Sequence, residues 1–353
     1  MSENNANGTG NLVEFHDVKK WFPLQQGLLD SIFSRGSAEN VRAVDGVSFN
    51  IKKGEVFGLA GESGSGKSTI GRLALRLLET TKGTVCFDGV DLSTLSHEEL
   101  RRLRSRMQVI FQDPMAALSP RMTIGEAVAH PLMIHYPEER KHKRERVEEV
   151  LEHVGLTPPS LFYDKYPHQI SGGQRQRIVV ARALITRPEL ILADEPIAMA
   201  DVSVRALLLD LMKRLKDEFN LTYLFITHDL ATAKYICDRI AILYLGKLAE
   251  MGPLEVIYRS PQHPYTRALL AAVPVPDPDF RRAEPLPRGE IPSPINPPSG
   301  CAFHPRCPIA QEICKQEAPA MLPMSGQSEH VVACHLRSGE YQHLDPERQA
   351  TEV

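Results

Sequence analysis

The segment that most constrains this chain is Gly61-Glu62-Ser63-Gly64-Ser65-Gly66-Lys67-Ser68, which fits G-x-x-x-x-G-K-[ST] at every fixed position. It follows an apolar run, Glu55–Ala60, that reads as a buried strand. It leads into Lys67–Leu78, whose apolar periodicity predicts a helix. Strand, glycine-rich turn and helix in that order commit this part of the chain to an α/β fold in which the turn cradles phosphate. Gly61, Gly64 and Gly66 let backbone N–H groups close around a phosphate without Cβ clashes, and Ser63, Ser65 and Thr69 complete the cradle. The helix N-terminus adds partial positive charge. Lys67 is expected to reach the terminal phosphates and Ser68 to ligate Mg²⁺. The plainer alternative is a flexible glycine turn.

A second acidic site stands far downstream. Leu190-Ile191-Leu192-Ala193-Asp194-Glu195 is an apolar strand ending in two carboxylates. Asp194 is placed to hold Mg²⁺. Glu195, expected to point to the other side of the strand, is placed to polarise an attacking water as general base. Tyr223–Ile226 reads as another buried strand. Glu138–His153 reads as a charged helix whose Lys141-His142-Lys143-Arg144 run is a solvated face.

Between the two sites, Ile170-Ser171-Gly172-Gly173-Gln174-Arg175 opens an apparent helix. It resembles the signature of ABC ATPases, with Ile170 in the place of a leucine. A serine N-cap would explain Ser171 but requires neither two glycines nor a glutamine. The resemblance implies a signature that contacts the γ-phosphate of ATP held by a second subunit, through Ser171, Gly172, Gly173 and Gln174. It also implies that Gln112 (in Phe111-Gln112-Asp113-Pro114) senses Mg²⁺ and faces the membrane subunit. His228 then contacts the γ-phosphate, Asp201 lies across the dimer interface, and Phe22 stacks on adenine, with Trp21 as the alternative. Glu195-Pro196-Ile197-Ala198-Met199-Ala200-Asp201 lacks the hydroxyl residues the family carries before the aspartate.

A narrower resemblance spans nearly the whole chain. Lys19-Lys20-Trp21-Phe22-Pro23, Ala43 through Phe49, Pro120-Arg121-Met122-Thr123 and His263-Pro264-Tyr265-Thr266 are similar to the ATPases of dipeptide/oligopeptide importers. So is the segment Cys301-x-Phe303-x-Pro305-Arg306-Cys307-Pro308, with Cys314 and Ala333-Cys334-His335 after it. The spacing C-x5-C-x6-C-x19-C lacks the tight pairs of common zinc modules, and four thiolates suit zinc or iron–sulfur about equally. The resemblance implies a [4Fe–4S] cluster on Cys301, Cys307, Cys314 and Cys334, with zinc or free thiols as alternatives. His304, His330 or His335 could replace one ligand. Cys86 and Cys237 are expected to stand apart.

The expected fold is α/β: a P-loop NTPase of the ABC ATPase type with a helical subdomain, plus a small Cys/Pro-rich C-terminal module. The divisions are a disordered tail over 1–10, the ATPase domain over 11–260 (helical subdomain about 113–180), a peptide-importer-type extension over 261–340, and a polar tail over 341–353. Pro23–Arg42, with its short apolar patch Leu28–Phe33, reads as an elaborated surface loop. The stretch Pro274–Pro298 reads as a stiff extended linker. No run approaches the roughly 20 apolar residues that span a bilayer, and Met1–Gly10 lacks the apolar core of a signal peptide. Alongside these features, the resemblance implies a peripheral subunit on the cytoplasmic side of the inner membrane. The resemblance also implies as partners a second, non-identical ABC ATPase, two membrane permease subunits and, indirectly, an extracytoplasmic solute-binding protein. A net charge of -3 gives no basis for nucleic-acid binding. Repair-type ABC proteins would need a long coiled coil where this chain has about 100 residues, translation types would need two cassettes, and a small-molecule kinase has no use for the signature.

Overall fold

A computed structural model describes residues 10–24, 39–273, 289–338 and 340–346. The tail over residues 1–9, the Leu28–Phe33 patch, residues 274–288 of the proline-rich stretch and residues 347–353 lie outside the described residues. In chain order come β1 (Asn11–Pro23), β2 (Asn40–Lys52), β3 (Val56–Ala60), α1 (Lys67–Ala74), β4 (Lys82–Phe87), β5 (Val90–Asp91), α2 (His97–Leu103), β6 (Met107–Ile110), α3 (Pro114–Ala117), α4 (Ile124–His135), α5 (Lys143–His153) and α6 (Ser160–Tyr163). They are followed by α7 (Gly172–Leu184), β7 (Leu190–Asp194), α8 (Val202–Phe219), β8 (Thr222–Thr227), α9 (Leu230–Ile236), β9 (Arg239–Tyr244), β10 (Lys247–Pro253), α10 (Leu254–Arg259), α11 (Pro264–Ala271), α12 (Glu312–Gln316), β11 (Leu322–Met324) and β12 (Gln327–Val332).

Two sheets result. The larger runs β11-β12-β10-β9-β3-β8-β7-β6, and its members from β9 to β6 are parallel. Strands covered on both faces must be apolar throughout rather than alternating, and every residue of β3, β8 and β9 is buried. The smaller sheet, β2-β1-β4-β5, is antiparallel. A ladder of rings joins the two sheets. Phe15 stacks on Phe49 at 4.4 Å, and Phe49 stacks on Phe57 of β3 at 5.1 Å.

Two elements differ from their sequence reading. Helix α1 stops at Ala74 instead of Leu78, because Arg76 takes a left-handed conformation (φ 46°) and Leu77 is left exposed. The charged segment before His153 divides into a 3-10 stretch, Pro137–His142, and α5. Its basic run is largely exposed, as expected of a solvated face.

The Cys/Pro-rich end is not a free-standing module. Among the described residues, its own buried apolar cluster contains only Val332, Cys334 and Leu336, too little to hold a fold by itself. It is anchored instead to the main sheet, where β12 pairs antiparallel with β10 (Glu250↔Val332). Glu250 is fully buried there. Its carboxyl accepts from the amides of Gln262 (2.8 Å) and His263 (2.9 Å) and meets His330 Nε2 at 2.7 Å. Removing such a hub strands several buried polar groups. Glu250→Ala is therefore expected to lower unfolding free energy in urea by about 3 kcal/mol, with Glu250→Gln losing less. An unchanged midpoint for Glu250→Ala would show that the hub does not hold the C-terminal strands.

Candidate nucleotide site

The phosphate loop leaves the carboxyl end of β3, inside the parallel sheet, where ligands of open α/β sheets bind. Close packing dictates its glycines. A Cβ on Gly61 would lie 2.2 Å from the carbonyl oxygen of Leu243, and one on Gly66 would lie 2.2 Å from that of Ala43. Gly66 also has φ 106° and caps α1 without any side-chain hydrogen bond, so no side chain covers the first amides of the helix. Lys67 is only 6% exposed, and its ammonium donates to the carbonyls of Gly61 (2.7 Å) and Glu62 (2.8 Å), with Ser65 Oγ at 3.4 Å. Burial pulls its pKa down, while Glu195, Asp194 and Glu62 push it back up.

Strand β7 brings the acidic residues to this loop. Ser68 Oγ donates to Asp194 Oδ1 at 3.2 Å, and burial raises the Asp194 carboxyl while the Ser68 bond lowers it. Two oxygen ligands so close, 126 residues apart in sequence, are of the type that could hold one hard cation. Glu195 does not continue the strand. It turns left-handed (φ 48°), so strand alternation is not what aims it. One carboxylate oxygen accepts from Gln112 Nε2 at 3.1 Å, and the other lies 3.0 Å from His228 Nδ1. Ser63, Gly64, Gly66, Lys67, Ser68 and Thr69 line one open cavity with Gln112, Glu195 and His228.

Val41, Ala43 and Pro294 form the remaining wall of that cavity. Phe22 stands opposite Val41 in the β1–β2 ladder. Trp21 is otherwise engaged: its indole donates to Asp45 at 3.2 Å and Arg42 lies over its ring. Sequence reasoning missed Pro294, whose carbonyl accepts from Arg42 N at 3.0 Å; nothing in a proline-rich stretch marks which residue will dock.

Ser171, Gly172, Gly173, Gln174 and Asp201 are not among the residues lining the cavity. Ser171 and Gln174 form a reciprocal capping box at the start of α7, and Ile170 is buried. Gln176 of α7 donates to the Pro196 carbonyl, tying that helix to the turn after Glu195. Ile197, one of the departures, packs into the main core, whereas Met199 is 66% exposed beside the exposed Asp201.

Cys301, Cys307, Cys314 and Cys334 line a second, small cavity with His263, Phe303, His304 and His335. Burial raises the Cys301 thiol to about 11 and the Cys307 thiol to about 12. Cys301 N donates to the Cys314 carbonyl at 2.8 Å. Cys86 and Cys237 are not part of this wall, and His330 is engaged by Glu250. Among the described residues, no three or more His, Cys, Asp or Glu side chains form a group ready to hold a metal ion.

Comparison with known proteins agrees with this geometry. Residues 44–198 match the "ABC transporter" family model, and residues 249–314 match "Oligopeptide/dipeptide transporter, C-terminal region". The "Oligopeptide transport ATP-binding protein AppF" of Bacillus subtilis is 48% identical over 330 residues, covering 93% of this chain and 98% of that relative. A "Putative peptide import ATP-binding protein" of Brucella ovis is 53% identical over 281 residues, covering 80% and 88%. Among solved structures, the dimeric ATP-binding cassette MJ0796 bound to ADP and Pi superposes with TM-score 0.59 at 32% identity, covering 69% of this chain and 99% of that one. The cbiO1 protein of Clostridium perfringens shares the fold, with TM-score 0.60 at 24% identity. With phosphate-loop residues, Glu195, Gln112 and His228 lining one cavity, Asp194 hydrogen-bonded to Ser68 beside it, and relatives matched over most of their length, this chain belongs to the ABC transporter ATPases that carry the oligopeptide/dipeptide transporter C-terminal region.

Proposed function

We propose that this chain is the ATP-hydrolysing subunit that energises uptake of di- or oligopeptides, or related solutes, through a membrane ABC importer. The observation that carries the reading is the convergence of Lys67, Ser68, Gln112, Glu195 and His228 on one cavity. No described helix is long and apolar enough to cross a membrane. The reading therefore puts the subunit peripherally, on the cytoplasmic face of the inner membrane, beneath two permease subunits that receive solute from an extracytoplasmic binding protein.

ATP binds with its phosphates in the loop. Lys67 exchanges its carbonyl contacts for phosphate oxygens, and the uncapped amides of α1 face the same charge. Ser68, Asp194 and Gln112 would hold Mg²⁺, which neutralises charge on the terminal phosphates. Glu195 takes a proton from the attacking water, and His228 contacts the γ-phosphate. Phe22 flanks the adenine. Ser171, Gly172, Gly173, Gln174 and Asp201 serve the nucleotide of a partner ATPase, a non-identical paralogue, in a head-to-tail dimer. Their absence from this chain's own cavity supports that assignment. Closure of the dimer moves the permease through the Gln112 region, and hydrolysis reopens it.

The four cysteines would hold one structural or redox-sensing metal centre, [4Fe–4S], with zinc as the alternative. That all four cysteines line one small cavity supports this reading. The donor set is soft and suits either metal, though the ligands must close in around it.

Three outcomes are expected. Glu195→Gln retains ATP binding but lowers steady-state hydrolysis in the assembled transporter by ~10²–10⁴; turnover at the wild-type rate would remove Glu195 from the role of base. Ser171→Arg leaves nucleotide binding by the isolated subunit intact and blocks turnover at the partner's site. Loss of isolated binding with partner-site turnover preserved would reverse the head-to-tail assignment. Anaerobically purified protein carries iron and acid-labile sulfide with visible absorption. Colourless protein with stoichiometric zinc replaces the cluster by zinc, and metal-free protein whose four Cys→Ser changes alter neither stability nor transport ends the metal reading.

A further inference from the structure

Glu62, a variable position of the phosphate-loop pattern, is held at three points. Its amide donates to Tyr265 Oη at 2.9 Å, its carbonyl accepts from Lys67 Nζ at 2.8 Å, and its carboxylate is clamped by Arg306. The clamp is bidentate, with Arg306 Nη1 to Oε2 at 2.8 Å and Nη2 to Oε1 at 3.1 Å. Two of these partners come from the C-terminal region. Tyr265 lies in α11, and Arg306 is 244 residues from Glu62 in sequence. The Arg306 side chain is 9% exposed, packed over Tyr244 and Phe303, and Tyr265 is buried at 1%. Arginine in a rigid fork-to-fork pair is the side chain that fixes a carboxylate both in place and in charge.

Charge is what makes the clamp matter. A free carboxylate beside a cradle for a triphosphate opposes the ligand, and at such range in a partly buried site one charge alters binding appreciably. Glu62 is close enough to act electrostatically on Lys67. We propose that Arg306 is a positioning residue of the nucleotide site: it neutralises and orients Glu62, so that the phosphate loop meets ATP without an opposing charge. The C-terminal region thereby contributes directly to ATP affinity. The assignment holds whether or not the four cysteines carry metal; metal analysis and nucleotide titration fail separately.

The test is MgATP binding to the purified full chain at low and high ionic strength. Arg306→Gln keeps a hydrogen-bonding group against Glu62 and Tyr244 but no charge. It is expected to weaken MgATP binding about tenfold at low salt, a defect that shrinks as salt screens it. Adding Glu62→Gln to Arg306→Gln is expected to restore affinity to within about threefold of wild type, since no unpaired carboxylate remains. A purely structural clamp would not be repaired by the second change. Wild-type affinity for Arg306→Gln overturns the proposal, as does a double variant as weak as the single. Should Arg306→Gln fail to fold, Glu62→Gln alone decides: binding at least as tight as wild type supports the proposal, and weaker binding sinks it.

Discussion

Lys67 keeps an ammonium group at 6% exposure, a state that costs several kcal/mol unless the surroundings compensate. Two main-chain carbonyls of the loop and the nearby carboxylates of Glu195, Asp194 and Glu62 do so. The arrangement depends on three chain segments arriving at one point. The loop after β3 supplies the carbonyls, β7 the acids and β8 the approach to His228. The parallel ladder β3–β8–β7 sets their spacing. A slip in that register would part the lysine from its counter-charges, so the sheet and the site are specified together.

Much of this was legible in the sequence because the determinants are local. A glycine pattern, an apolar run before it and two acids closing another apolar run are each contained within about ten residues, the scale on which backbone propensity acts. The direction of Glu195 was not legible. The period-2 rule presumes an extended chain, and Glu195 has φ 48°. Ile197 lies in the stretch that lacks the family's hydroxyl residues, and it is a core residue. Helix α1 ended early because Arg76 adopts a left-handed turn that its residue type does not announce.

Contacts of long sequence range were invisible for a different reason. Pro294 on the cavity wall, Glu250 beneath His330 and Arg306 on Glu62 each pair residues from opposite sides of the proline-rich stretch or across elements with no shared motif. Cysteine spacing suggests that the C-terminal region is a unit with its own purpose, and the four cysteines do line one small cavity. Yet that region completes the main sheet and shares polar contacts with the phosphate loop. A motif-based division places a boundary near residue 260; hydrogen bonds do not respect it.

The pairing of β12 with β10 bears on how the chain is made. On the ribosome, β10 is complete roughly 75 residues before synthesis of its partner strand β12 begins, about 4–15 s at ordinary elongation rates. For that interval the edge of an almost finished sheet lies open, with the Glu250 carboxyl still waiting for His330. An open edge of this kind invites pairing with another chain. A stop codon placed after α11 would leave the β10 edge of the sheet without β12 and the phosphate loop without the Arg306 clamp on Glu62.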